Sequence, residues 1–71
     1  MKLTKYEVKE PLGIIKTFID KGCFIYLSGE YPTPNSYQKY STDIFFNGVC
    51  VGVETEEYMH KNIYPYIQKA K

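Results

Sequence analysis

The side chains best equipped for chemistry in this chain are one histidine, His60, two cysteines, Cys23 and Cys50, and a run of carboxylates, Glu54, Glu56 and Glu57. Thiol catalysis needs a base within hydrogen-bonding reach and a third group to orient it. Both cysteines instead lie in apolar, strand-like runs, where a thiol serves as a small hydrophobe. His60 falls opposite the apolar stripe of a helical repeat. The glutamates open that same repeat, where the helix dipole favours negative charge. A divalent cation held there would need further oxygen ligands that the sequence does not mark. Gly48 and Gly52 belong to a hairpin, so no glycine-rich phosphate loop follows from them. The expectation is a protein that is not an enzyme and needs neither cofactor nor metal.

Tyrosine is the other group with chemical reach. The chain has eight tyrosines in 71 residues, no tryptophan, and 17% aromatic residues. Tyrosine offers a large contact area at low entropy cost with a hydrogen-bonding tip, which suits recognition. An AT-rich coding sequence would give the same bias, since arginine is absent and alanine occurs once. All nine basic residues are lysine and the net charge is +1. Without a guanidinium there is no bidentate fork for phosphate or guanine, which disfavours nucleic acid as a partner. No apolar run approaches membrane-spanning length, and Met1–Glu7 is too polar for a signal peptide. A cytoplasmic protein with reduced thiols is expected, with no membrane contact. The length suits one domain, residues 1–71, with one modest core.

The elements that must position these groups read as follows. Residues 2–9 alternate weakly (Leu3, Tyr6, Val8) as a short edge strand or an extended arm. Pro11 suits a first helical turn, Ile14, Ile15, Phe18 and Ile19 recur at helical spacing, and Gly22 is a ready C-terminal cap. These predict a helix over 10–21. Cys23–Leu27 is a compact strand. Residues 30–39 carry prolines and turn formers that argue for a long exposed loop. Asn47-Gly48 joins strands 41–46 and 49–53 in a two-residue hairpin. Thr55 caps a second helix with its stripe at Met59, Ile63, Tyr66, Ile67 and Ala70, interrupted at Pro65. The fold class is then α+β. It has two layers and a three-stranded antiparallel meander between two helices, in the order α-β-β-β-α, with a possible fourth N-terminal strand.

Strand side chains alternate between faces. Pairing outward from Asn47-Gly48 puts Ile44, Phe46, Val49, Val51 and Val53 on the face that the helices bury. It leaves Asp43, Phe45, Cys50 and Gly52 opposite. With Ile25 and Leu27 inward, Phe24, Tyr26 and Phe45 share the open face, and Cys23 and Cys50 end on opposite faces as free thiols. Such rings in water suggest a contact surface, unless the N-terminal segment or the tyrosine-rich loop folds over them or a second copy covers them. That loop is a second candidate surface. Tyr31, Tyr37 and Tyr40 flank Pro32, Pro34, Asn35 and Ser36, a mixture of rigid rings and adaptable polar groups.

The element order over residues 11–70 resembles a double-stranded-RNA-binding domain, and Phe46–Val53 is similar to that family's third-strand region. The resemblance implies the α-β-β-β-α fold. Where the family carries lysines at the start of its last helix, this chain has Glu54, Thr55, Glu56 and Glu57, which would repel phosphate. No binding residue carries over. The function expected is a small protein-interaction module, such as an inhibitor or adaptor encoded by a mobile element like a phage, that binds a protein partner through Phe24, Tyr26, Phe45, Tyr31, Tyr37 and Tyr40. Single-stranded nucleic-acid binding by ring stacking and a structural homodimer are the alternatives.

Overall fold

A computed structural model describes residues 2–32 and 40–70. Among the described residues the fold is mostly β, with eight strands and one short α-helix near the C-terminus. β1 is Leu3–Val8, β2 Leu12–Ile14, β3 Thr17–Ile19, β4 Phe24–Ser28, β5 Tyr31–Pro32, β6 Tyr40–Phe46, β7 Val49–Thr55 and β8 Ile67–Lys69; the helix α1 is Glu56–Asn62. All pairings are antiparallel. β7 runs along one edge of β6, while β4 and then β5 share the other. The curled sheet therefore reads β7, β6, β4/β5, β1, β8, with the last strand returning beside the first.

The N-terminal helix predicted over 10–21 does not form, so the α-β-β-β-α order and the resemblance built on it fall. Residues 12–19 are instead the hairpin β2–β3, with Leu12 opposite Ile19 and Ile14 opposite Thr17. Leu12, Ile14 and Ile19 are buried and Phe18 and Gly13 face outward, a period of two that a helical reading of the same isoleucines overlooks. The β-branched run Ile14, Ile15, Thr17, Ile19 favours strand over helix. Its two-residue turn carries no glycine or asparagine. Ile15 takes the left-handed conformation itself, at φ 53°, which costs an L-residue about 1–2 kcal/mol. Ile15→Gly is therefore expected to raise stability by about 0.5–1 kcal/mol. In a helix the same change would lower it by a comparable amount. Chemical denaturation gives the sign.

The other sequence signals meet mixed fates. Gly22 does adopt positive φ, at 90°, but between β3 and β4, where its N–H donates to the Val8 carbonyl at 2.8 Å. Residues 3–8 are no edge strand: β1 lies between β4 and β8. Tyr31 and Pro32 of the expected loop pair with Ser41 and Tyr40, and residues 33–39 lie outside those described. Asn47 and Gly48 turn with φ 54° and 79°, as the hairpin requires. Thr55 caps α1, its hydroxyl accepting the Tyr58 N–H at 3.3 Å. The helix stops at Asn62, and Pro65 sits in a 3₁₀ turn, Tyr64–Tyr66, that delivers Ile67 to β8.

The face assignment of β7 is corrected by a bulge. Phe46 pairs with Val49 and Phe45 with Cys50 as the turn dictates, but Ile44 pairs with Gly52 because Val51 is an extra residue. Past a bulge every side chain changes face. Gly52 thus faces inward and Val53 outward, half exposed; Val49 is 61% exposed at the hairpin end. The core lies on the concave side. There Val8, Ile25, Leu27, Ile44 and Ile67 of the sheet meet Leu12, Ile14 and Ile19 of the small hairpin and Met59 and Ile63 of the helical segment.

Candidate functional site

The convex face of the sheet has no element packed over its rings among the described residues. Tyr26 of β4 pairs directly with Phe45 of β6, and Phe24 stands two residues along from Tyr26, on the same face. Phe24 is 43% and Tyr26 37% exposed, and Phe45 is half-buried between its neighbours. Alternation makes this arrangement possible, since the same β4 sends Ile25 and Leu27 wholly into the core. The three rings expected together from the sequence are together here.

β1 completes the face. Lys5 pairs with Tyr26, and its ammonium lies 4.3 Å from the centroid of the Phe24 ring. That is a cation–π contact, which holds the lysine stem along the aromatic surface. Glu7 pairs with Phe24 and accepts a hydrogen bond from the Gln68 amide at 3.3 Å. Sequence reasoning misses Lys5 and Glu7 because residues 2–9 read as an edge strand or an arm. The alternation Leu3, Lys5, Glu7 was the signal that would have found them.

The tyrosine-rich loop does not act as one surface. Tyr31 lies on the convex side, paired with Ser41, and its hydroxyl donates to the Asp43 carboxylate at 2.6 Å. That hydrogen bond, then partial desolvation and the Asp43 charge, raise the Tyr31 pKa above the ordinary phenol value. Asp43 is tied down further by its backbone N–H, which donates to the Ser28 hydroxyl at 2.9 Å. Tyr40 belongs to the other alternation of β6 and is exposed at the rim. Tyr37 lies outside the described residues. Tyr31 therefore joins the ring face at its far end, and Tyr40 does not.

The thiols do not meet. Cys23 packs against the core edge, while Cys50 is exposed opposite Phe45, and both are free. None of the described helices is long and apolar enough to cross a membrane. What remains on the convex side is an apolar centre (Phe24, Tyr26, Phe45) between a lysine and two carboxylates, Glu7 and Asp43. No protein-family model matches this chain, and comparison with curated proteins and with solved structures returns no significant match.

Proposed function

We propose that the chain is a small protein-binding module whose docking face is the convex side of the sheet, centred on Phe24, Tyr26 and Phe45. The observation that carries this reading is the pairing of Tyr26 with Phe45 and the stacking of Lys5 on Phe24, on a face over which no described element packs. An apolar centre with a rim of both charge signs is the anatomy of a protein interface. A single strand of nucleic acid would meet one lysine at the rings but also Glu7 and Asp43, so the charge there favours a protein. The partner's matching surface should bring an apolar side chain to the rings and a carboxylate near Lys5.

A photo-crosslinking phenylalanine analogue placed at Tyr26 in the native cells tests this. The expected result is one discrete protein adduct, absent when the analogue stands at Lys16 and lost when Phe24→Ser and Phe45→Ser are added. An adduct removed by nuclease would convert the reading to stacking on a nucleic-acid strand. An adduct made only with a second copy of this chain would convert it to a structural dimer. No adduct at all would also overturn it.

A further inference from the structure

We infer that Glu30, Glu56 and His60 form a binding site for one divalent transition-metal ion, Zn²⁺ by the chemistry of its donors. This inference is independent of the docking face, which shares none of these residues. Glu56 and His60 stand four apart on α1 and so face the same way. Glu30 reaches them from the link between β4 and β5, twenty-six positions before Glu56 in the chain. One ligand atom from each of the three lies within 4.8 Å of the other two. A point in the middle of such a triangle is no more than about 2.8 Å from each atom, against the roughly 2.0–2.2 Å that zinc prefers for nitrogen and carboxylate oxygen. Rotation of solvent-facing side chains closes a gap of that size without moving backbone, since Glu30 and His60 are exposed and Glu56 is half-buried.

Two features of the surroundings favour a cation. Two carboxylates and an imidazole converge here from separate elements, and no described lysine pairs with either carboxylate. The imidazole is also backed by a wall. Its ring lies 5.0 Å from that of Tyr64, whose phenol is pushed above its ordinary range by burial and then by the Glu30 charge, with the nearby Thr42 hydroxyl opposing. Thr42 itself is fully buried, and its hydroxyl oxygen makes no hydrogen bond of good geometry. The site thus has a fixed side, built from β6 and the 3₁₀ turn, and an open side facing solvent.

One imidazole and two carboxylates, with no thiolate, form a borderline-hard set. It suits Zn²⁺ or Mn²⁺ and is too small for Ca²⁺, which takes six to eight oxygens. Three protein ligands leave at least one position for water or an external ligand.

Isothermal titration of the full chain with zinc chloride, after chelator treatment, decides the matter. One equivalent is expected to bind, with the His60 ring resonances shifting in step, and no saturable binding is expected for calcium chloride. Glu30→Gln and His60→Gln should each weaken zinc by about tenfold or more, and Glu57→Gln should leave it unchanged. Circular dichroism confirms that the variants are folded. Absence of saturable zinc binding overturns the inference, as does binding that survives His60→Gln, because the metal would then be held elsewhere.

Discussion

Gly52→Ala is expected to destabilise this protein by about 2 kcal/mol, a large part of what a chain of this size has to lose. Gly52 faces the core because the bulge at Val51 turns it inward opposite Ile44. A Cβ built there would stand 2.6 Å from the Ile14 Cγ2 and 3.4 Å from the Ile15 Cδ1. Real side chains do not tolerate the first distance, so one of the two must move. Ile14 is wholly buried within the hairpin β2–β3 and has little room to do so. The glycine is thus what allows the small hairpin to lie on β7. Thermal unfolding should show a midpoint lower by roughly 10 °C. Combined with Ile14→Ala, the loss should be smaller than the two single losses added, because removing that methyl removes the clash.

Ile44→Ala should cost about 3 kcal/mol, and Val53→Ala should stay within about 0.5 kcal/mol of the parent. Regular pairing from the Asn47-Gly48 turn would put both side chains on the buried face. The bulge separates them: Ile44 is fully buried at the centre of the sheet and Val53 is half exposed on the convex side. Truncating Ile44 leaves a cavity among Leu27, Ile14 and their neighbours in the core cluster, while truncating Val53 removes methyls that already touch water. Urea unfolding of the two variants measures the difference. Equal losses would mean that the hairpin pairs without the extra residue.

How much of this could be read beforehand depended on how local the cause was. The Asn47-Gly48 turn, the Thr55 cap and the two faces of Phe24–Leu27 are set by residues within a few positions of one another, and each is found as read; the helical stripe expected to run on past Pro65 to Ala70 instead ends at Asn62 and gives way to the strand Ile67–Lys69. Hairpin β2–β3 is not local in that sense. Its isoleucines fit both a helical and an alternating pattern, its turn residue is a strained Ile15, and the choice is made by the distant Gly52 surface on which it packs. The bulge at Val51 likewise has no local sign in the turn that precedes it, and it is what brings Gly52 against Ile14. For the site, Phe24, Tyr26 and Phe45 followed from alternation and were found together. Lys5 and Glu7 required knowing that β1 lies beside β4. Tyr31 and Tyr40, read as one loop surface, were divided between faces by their pairing with β6. His60 and Glu30, far apart in the chain, meet only through the fold.

A docking face on the convex side requires that the core be sealed on the concave side and that the rings not be packed into it. The most direct measurement is the unfolding free energy of the Phe24→Ser, Tyr26→Ser double variant in denaturant. Rings this exposed give up only part of a full burial on replacement, so a loss of about 2 kcal/mol for the pair is predicted. A loss of about 4 kcal/mol or more would show both rings packed into a core, and a buried ring pair cannot be a docking face.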